Sequence, residues 1–327
     1  MKILCLGVGG CGKTTFVKQM KIIHGVNWDP IELQNFIKVI RGNYISGLQD
    51  VIEIAKKLGK GLKAENEDNI KQLKDYRARN VELGSDQLTV LRALWVDPVV
   101  QEIIKEHPEK LTITHLEYFW NNLDRITQDD YSPSDEDILR ARMRTAGANS
   151  SSICIEKKYF EFFDVGGQKP ERAKWQSILE EHNFSAIIYF VASDEYDVED
   201  EEKEFDDSKM HISRLIFSEI VSSGIIDLKI PIILFLNRDD LFEERMKDPK
   251  GFESFKQTFP DYGGGADKQQ GLDYLKEWFT SVINQEEKHN PVKVHYTCAL
   301  DTESLVVVWR TVREALLKQT LDNLGLG

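Results

Sequence analysis

The chain lacks the features that would place it within a membrane, outside the cell or on nucleic acid. Its longest apolar runs, such as residues 186–192 and 230–236, are far shorter than the ~20 residues that a membrane-spanning helix needs. No signal peptide precedes its first apolar run. A net charge of −13, without a basic stripe, would repel a nucleic-acid backbone. We therefore expect a soluble, cytoplasmic protein with no transmembrane segment and no nucleic-acid partner.

Cysteines and histidines are few, and they are not spaced as metal ligands. The four cysteines, Cys5, Cys11, Cys154 and Cys298, form no C-x-x-C pair, and the seven histidines show no ligand spacing. Free thiols in a reducing compartment are therefore expected, rather than disulfides or a zinc site. The length of 327 residues is enough for two hydrophobic cores of ordinary domain size.

Glycine, in contrast, is concentrated near the start, where residues 7–15 read GVGGCGKTT. This is a G-x-x-x-x-G-K-[ST] phosphate loop between an apolar run at 3–6 and a helix-like segment at 16–21. Its glycines let backbone N–H groups point at phosphate oxygens, Lys13 supplies a positive charge, and the Thr14 hydroxyl can hold Mg²⁺. A bland glycine-rich turn is the alternative. The candidate phosphate-binding residues are Gly9, Gly10, Cys11, Gly12, Lys13, Thr14 and Thr15.

The hydrophobic pattern becomes purely helical after the first helix and later alternates again. Residues 29–58 predict one amphipathic helix capped by Asp29, with Pro30 in its first turn. Further helices are expected near residues 68–77, 86–94, 98–106, 114–125 and 134–142, and strands near 152–156, 159–164, 186–191, 230–237 and 292–297. Strands that alternate with helices predict a mostly parallel sheet flanked by helices on both faces. We therefore expect an α/β nucleotide domain, with six strands including residues 3–6, interrupted by an all-helical insertion.

A second motif follows a predicted strand, where residues 164–168 read DVGGQ. Asp164 fits the carboxylate that reaches the Mg²⁺ shell in nucleotide hydrolases. Gly167 can donate its N–H to a γ-phosphate, and the Gln168 carboxamide can orient the attacking water because it both donates and accepts. A simple strand-ending turn is the alternative interpretation.

Two later strand ends carry a candidate guanine-reading set. Asn237 and Asp240 have the spacing of an N-K-x-D motif with Arg238 at the lysine position, and residues 297–299 read Thr-Cys-Ala. The Asp240 carboxylate would accept from the guanine N1–H and amine, and the Ala299 N–H would reach the guanine carbonyl. Adenine lacks matching donors, and an unpaired carboxylate costs ~1–3 kcal/mol, so the set favours GTP over ATP.

Taken in order, these segments resemble a heterotrimeric G-protein alpha subunit along essentially the whole chain. The matching segments are KTTFVKQMKIIH, NNLDRI, DILRARMRT, FFDVGGQKPERAKW, FLNRDDLFEE and TCALDT. The resemblance implies a P-loop NTPase fold, with a Ras-like domain at residues 1–26 and 143–327 and an inserted all-α domain at 27–142. It also implies a signalling switch that binds GTP and hydrolyses it to GDP with Mg²⁺.

The resemblance assigns further roles to individual residues. Arg142 occupies the position of the intrinsic arginine finger and Thr145 that of the switch I threonine on Mg²⁺, so the implied catalytic residues are Lys13, Arg142 and Gln168 and the implied metal ligands are Thr14 and Thr145. The implied nucleotide contacts beyond the phosphate loop are Leu139, Arg140, Arg142, Thr145, Asp164, Gly167, Asn237, Arg238, Asp240, Cys298 and Ala299.

The family also implies moving segments and partners. Loss of the γ-phosphate is expected to relax residues 143–149 and 166–178. Arg172 and Lys174 are candidates to lock the second segment against the acidic residues 194–207, for which a solvated loop is the alternative. The implied partners are a βγ dimer, a G-protein coupled receptor, RGS-type GTPase activators and an unidentified effector, at the cytosolic face of the plasma membrane.

Several positions depart from the family pattern. Gly10 stands where Glu is usual, Asn122 replaces an acidic residue, and Arg238 replaces the motif lysine. Two charge-based contacts between domains are therefore expected to be missing and GDP release to be comparatively fast, while Arg238 is expected to lie over the purine face. The first strand begins at Lys2, without the usual N-terminal helix or a lipidation site, so weakened βγ binding is expected.

Two other classes of function share part of this pattern. A P-loop kinase or ATPase would share residues 7–15, but it would not need Asn237 and Asp240 at guanine spacing. A GTP-binding scaffold that barely hydrolyses is compatible with Gly10 and with the substituted residues Pro170 and Ala173. Retention of the catalytic residues and metal ligands named above argues against this scaffold.

Overall fold

The structure is a computed structural model, and it describes residues 1–76, 83–199, 208–222, 230–283 and 292–323, with side chains to residue 317. The chain divides into two compact units. The first unit contains Met1–Val26 and Arg144–Gly327, and the second contains Asn27–Met143. Among the described residues, no helix is long and apolar enough to cross a membrane.

The first unit contains a six-stranded, mostly parallel sheet, which confirms the predicted fold class. The strands are β1 Lys2–Leu6, β2 Ala148–Ile155, β3 Lys158–Val165, β4 Ala186–Ala192, β5 Ile232–Asn237 and β6 Lys293–Thr297. Their order is β2-β3-β1-β4-β5-β6, and only β2 runs antiparallel to its neighbour. Register pairs Cys5 with Asp164, and Asn237 with Thr297. The carboxyl ends of β1, β3, β5 and β6 therefore share one edge, where the predicted motifs follow them.

Helices cover the two faces of this sheet. Numbered along the whole chain, they are α1 Lys13–Ile23, α9 Lys169–Arg172, α10 Trp175–Glu181, α11 Lys209–Ser222, α12 Asp239–Lys247, α13 Pro249–Thr258, α14 Lys268–Thr280 and α15 Thr302–Asn323. Phe16 shows how α1 is fixed, because its buried ring lies 5.3 Å from that of Phe190 and 5.7 Å from that of Phe235. The start of α1, which follows the phosphate loop, is thus anchored to the centre of the sheet.

The second unit is all-helical in the residues described. It contains α2 Pro30–Lys57, α3 Glu67–Asp75, α4 Ser85–Trp95, α5 Pro98–Glu106, α6 Leu116–Asn121, α7 Leu123–Ile126 and α8 Asp135–Arg140, with short 3₁₀ turns at Ala64–Asn66 and Pro108–Lys110. The predicted cap of α2 is confirmed: the Asp29 carboxylate accepts from the N–H groups of Ile31 and Glu32, each at 2.8 Å. Apolar side chains such as Ile40, Leu48 and Phe119 form its buried core.

Two predicted helices end differently from expectation. The helix predicted over residues 114–125 divides at Asn122, whose Nδ2 donates to the Tyr118 carbonyl at 2.9 Å. Asparagine competes in this way with the backbone for hydrogen bonds. The helix predicted to reach residue 142 stops at Arg140, because Ala141 adopts an extended conformation. Arg142 therefore lies beyond the helix rather than in its last turn.

Candidate functional site

The phosphate loop connects β1 to α1 and wraps around one lysine. Gly7, Gly10 and Gly12 have positive φ angles of 138°, 84° and 101°, a region that glycine enters without strain. The buried Lys13 ammonium donates to the carbonyls of Gly7 at 2.7 Å and Val8 at 2.9 Å. No side chain caps α1, and its first turn carries no acidic residue. The loop and helix start therefore offer backbone N–H groups and positive charge to an anion.

Two glycines of this loop allow other motifs to approach it. A Cβ at Gly9 would overlap the carboxamide of Gln168, and a Cβ at Gly12 would overlap that of Asn237. Because these amides follow or end different strands, the glycines bring the β3 and β5 motifs against the phosphate loop.

Asp164 lies at the centre of a cluster of oxygen ligands. Its buried carboxylate accepts at Oδ2 from the Thr14 hydroxyl at 2.7 Å and from the Thr145 hydroxyl at 3.2 Å, and the two hydroxyl oxygens are 2.8 Å apart. Its Oδ1 is buried and has no hydrogen-bond partner among the described residues. A buried carboxylate oxygen needs a partner, and Mg²⁺ prefers hard oxygen ligands of this kind. The cluster therefore fits a Mg²⁺ site.

Charges around this cluster offset one another. Burial raises the pKa of Asp164, while the nearby Lys13 ammonium and the two threonine hydrogen bonds lower it. Burial also lowers the pKa of Lys18 to about 7, and the Asp164 carboxylate acts in the opposite direction. Lys18 is not among the residues predicted from the sequence, where the available signal was a lysine within the apolar helix segment that follows the phosphate loop.

The segments on either side of β2 and β3 are tied together. The Glu171 carboxylate accepts from the Gly147 N–H at 2.7 Å and pairs with Lys174 at 2.9 Å. Arg172 donates to the Gly167 carbonyl at 3.2 Å. These contacts lie within or between the two predicted moving segments. The predicted lock against residues 194–207 is not tested, because residues 200–207 lie outside the part of the chain that is described.

Asn237, the asparagine of the predicted guanine motif, has its side chain buried within the site. The buried Asn237 side chain donates to the Cys11 carbonyl at 2.9 Å and accepts from Thr297 Oγ1 and from the Ala299 N–H, each at 3.1 Å. The Ala299 N–H, which the sequence predicts to reach a guanine carbonyl, donates to Asn237 in this structure. Asn237 links the phosphate loop to the end of β6.

Asp240 retains an available acceptor. Its Oδ1 is buried and has no hydrogen-bond partner among the described residues. Ligand atoms of Asp239, Asp240 and Cys298 lie within 4.8 Å of one another, so the ends of β5 and β6 converge here. Lys268 pairs with Asp239 at 3.0 Å. The free oxygen of Asp240 suits a ligand that donates hydrogen bonds, as the guanine edge does.

Arg238 is positioned by carboxylates within the first unit. Its Nη1 lies 3.2 Å from Asp194 and 3.0 Å from Glu195, and its Nη2 donates to the Gly10 carbonyl. Burial raises the pKa of Asp194, Arg238 lowers it, and Glu195 raises it again. The expectation that Arg238 lies over a purine face did not foresee these partners, because they come from the loop after β4.

The remaining predicted residues belong to the second unit. Leu139 is buried in α8, and the Arg140 guanidinium lies 4.5 Å from the centre of the Tyr118 ring. Asp137 anchors this helix, since its carboxylate receives two hydrogen bonds from Arg125, at 2.7 and 2.8 Å. Burial alone would raise the pKa of Asp137, but the bonds from Arg125, from the Ser134 N–H and from the Tyr118 hydroxyl hold it well below its ordinary value.

Comparison with known proteins identifies the family. The family model described as G-protein alpha subunit matches residues 1–316. The "Guanine nucleotide-binding protein alpha-2 subunit" of Dictyostelium discoideum is 35% identical over 338 residues, which cover 100% of this chain and 91% of that protein. The "Guanine nucleotide-binding protein subunit alpha" of Emericella nidulans is 33% identical over 332 residues, covering 100% and 90%. The chain belongs to the G-protein alpha subunit family.

Family membership confirms the resemblance stated from the sequence. In this G-protein alpha subunit, most of the predicted site residues lie together in the first unit, and three lie in the second. Those of the first unit are Lys13, Thr14, Thr145, Asp164, Gly167, Gln168, Asn237, Arg238, Asp240, Cys298 and Ala299. Those of the second unit are Leu139, Arg140 and Arg142. All four cysteines are described and are free, as expected. Glu171 was not predicted from the sequence, and Asp194 and Glu195 were predicted as part of the acidic segment 194–207 but not as partners of Arg238.

Proposed function

We propose that this G-protein alpha subunit is a signalling GTPase that binds GTP with Mg²⁺, hydrolyses it to GDP and changes conformation between the two states. The observation that carries the proposal is the convergence of the Thr14 and Thr145 hydroxyls on Asp164, beside the Lys13 ammonium. Phosphoryl transfer depends mainly on positioning and on neutralising charge, which this set of groups suits. The printed names of both relatives, which describe guanine-nucleotide binding, are consistent with it.

Guanine selection is assigned to Asp240 with Asn237 in support. The Asp240 carboxylate accepts the two donors of the guanine edge, for which its unpartnered Oδ1 is suited. Asn237 keeps the Cys11 and Ala299 backbones in place. The proposed nucleotide contacts also include Gly9, Gly10, Gly12, Thr15, Leu139, Arg140, Arg238 and Cys298.

Thr14 and Thr145 are the proposed Mg²⁺ ligands, and Asp164 orients their hydroxyls through Oδ2. The bound ion would neutralise charge on the β- and γ-phosphate oxygens. Lys13 is held next to the same phosphates by two loop carbonyls. Thr145 and the Gly167 N–H are then the groups that sense the γ-phosphate and release on hydrolysis.

Hydrolysis is assigned to three side chains. Gln168, which approaches the phosphate loop over Gly9, orients the attacking water by donating and accepting hydrogen bonds. Lys13 and Arg142 stabilise the charge that develops on the phosphate oxygens. We further propose that residues 1–26 and 143–327 act as the GTPase domain, with residues 27–142 as the inserted helical domain.

The family suggests the partners of the switch. We propose that the GDP state binds a βγ dimer and a receptor at the cytosolic face of the plasma membrane. RGS-type activators and an effector would recognise the GTP state. Glu171, which accepts from the Gly147 N–H of the other predicted moving segment and pairs with Lys174 in its own, is a candidate to transmit that difference.

Single-turnover hydrolysis of GTP tests the proposal. Purified protein with Mg²⁺ is compared with Gln168→Leu and with the matched control Gln257→Leu, an exposed glutamine that donates to Glu253. Gln168→Leu should lose hydrolysis by ~100-fold or more while retaining GTP, and Gln257→Leu should match the wild type. Binding without hydrolysis in the wild type would favour the scaffold function instead. Equal competition by ATP would overturn the guanine assignment.

A further inference from the structure

Asn43 is a polar residue buried in the core of the helical unit. It lies within α2, one residue before the buried Tyr44, and only 6% of its surface is exposed. An amide buried without partners would cost several times the free energy of a typical hydrogen bond, so its partners explain why it is tolerated. Those partners are not on α2 itself.

Both hydrogen bonds of the Asn43 amide go to the backbone of Arg142. The Arg142 N–H donates to Asn43 Oδ1 at 2.9 Å, and Asn43 Nδ2 donates to the Arg142 carbonyl at 3.2 Å. The helix α8 ends at Arg140, and the extended Ala141 separates it from Arg142. The backbone of Arg142 therefore lies beyond the regular hydrogen bonds of the helix. One side chain therefore holds both peptide groups of Arg142, which limits the directions its Cα–Cβ bond can take.

The helices on either side of this pair are held by hydrogen bonds of their own. The helix α2 is 28 residues long and begins with a complete capping box. Arg41, two residues before Asn43 on the same helix, donates to the carbonyls of Ile126 at 3.2 Å and Gln128 at 2.9 Å. On the other side, Arg125 and Asp137 fix the start of α8. The backbone of Arg142 is thus bonded to one anchored helix, α2, and follows another, α8.

We infer that Asn43 is a positioning residue for Arg142, presenting its guanidinium for GTP hydrolysis. The inference rests on the proposed function, in which Arg142 stabilises the transition state. A catalytic group displaced by about 1 Å can lose ~100-fold in rate, so a side chain that fixes its backbone affects the chemical step without touching the nucleotide. A merely structural Asn43 would instead affect stability alone.

The test compares single-turnover hydrolysis, GTPγS affinity and melting temperature in the wild type and five variants. Asn43→Ala removes both bonds, and Asn43→Ser removes them while keeping more of the polar character. Asn66→Ala is the matched control, since Asn66 is also buried in the helical unit, where it donates to Asp97 at 2.8 Å. Arg142→Ala and the double variant Asn43→Ala/Arg142→Ala complete a double-mutant cycle.

We expect Asn43→Ala and Asn43→Ser to slow hydrolysis by roughly 10- to 100-fold with GTPγS affinity within about threefold of wild type. Asn66→Ala should lower the melting temperature without slowing hydrolysis. In the Arg142→Ala background, Asn43→Ala should add less than about a twofold loss, because the residue it positions is gone.

Three results would overturn the inference. Wild-type hydrolysis in both Asn43 variants would refute positioning while leaving the GTPase proposal intact, provided that Arg142→Ala is slow. A loss that multiplies fully with that of Arg142→Ala would show that Asn43 acts through another group. Absence of hydrolysis in the wild type, or an Arg142→Ala variant as fast as wild type, would refute the role of Arg142 and the inference with it.

Discussion

The phosphate end and the guanine end of the first unit are both built at the carboxyl edge of one sheet, yet they use side chains differently. At the phosphate end, the Lys13 ammonium donates to the carbonyls of Gly7 and Val8 within its own loop. At the guanine end, Asn237 and Arg238 bond to the phosphate loop and to the loop after β4. Local sequence therefore builds the phosphate loop around Lys13, whereas long-range contacts build the guanine end.

This difference has a physical origin. Phosphate is bound largely by backbone N–H groups and one fixed charge, so a short glycine-rich segment is sufficient. A base is read at its edge, which requires a correctly placed carboxylate and a rigid surrounding. At this end Arg238 bonds to the Gly10 carbonyl and pairs with Asp194 and Glu195. The arginine that stands at the position of the family lysine therefore has two acidic partners.

The largest expected effect is at the phosphate end. Replacing Lys13 with Met removes a buried positive charge, and we expect GDP and GTPγS affinities to fall by ~2–5 kcal/mol. Equilibrium binding of fluorescent nucleotides measures the loss. The exposed Lys250 on α13, changed to Met, is the control. If Lys13→Met keeps wild-type nucleotide affinity, the Lys13 charge does not contribute to phosphate binding and the prediction is wrong.

The second prediction concerns the long-range contacts of Arg238. Arg238→Ala should destabilise the protein by ~3 kcal/mol near pH 8, because two carboxylates lose their buried partner. Burial raises the pKa of Asp194 in the folded protein, so the folded state favours the protonated carboxyl. This contribution to the free energy of unfolding is present at low pH and is lost as the pH rises through that pKa.

Urea unfolding with saturating GDP at pH 5.5 and pH 8 measures this effect. Destabilisation should be smaller at pH 5.5, and Arg238→Lys should be milder than Arg238→Ala. An equal loss at both pH values would show that the charge of Asp194 is not involved.

Base recognition should show a smaller change. Asp240→Asn converts an acceptor of two hydrogen bonds into a group that accepts and donates, and we expect GDP affinity to fall by ~1–3 kcal/mol. Xanthine has a carbonyl in place of the guanine amine, so its diphosphate should gain relative to GDP. Competition assays with GDP, xanthosine diphosphate and ADP test this. An unchanged preference for GDP would place base recognition elsewhere.

The smallest change is expected at Gly10. If the missing glutamate side chain accelerates GDP release, Gly10→Glu should slow release by a few-fold, an effect of ~1 kcal/mol or less for one solvent-exposed charge pair. Gly10 has a φ of 84°, so any side chain also strains the loop. Gly10→Ala separates strain from charge when GDP release is followed by fluorescence. Equal rates in Gly10→Glu and Gly10→Ala would argue against a missing charge contact.

The predictions from the sequence also divide into features set by local sequence, which were predicted, and features set by long-range contacts, which were not. The six strands, the Asp29 cap and the place of Asp164 at a strand end were predictable, because each depends on periodicity or on a motif. The contact of Thr145 with Asp164 was implied only by the family resemblance. The end of α8 before Arg142 was not predicted. Helical propensity in residues 134–142 continues past the point where the extended Ala141 leads into the contact with Asn43.

The sequence by itself determined the phosphate loop, the order of the nucleotide motifs and membership of the family. Only the tertiary structure decided which side chains support them. Asn43 and Arg142 are 99 residues apart, Arg238 and Asp194 are 44 apart, and Asn237 and Cys11 are 226 apart. No local pattern encodes such pairs, because they form only when the sheet and the helices have brought distant segments together.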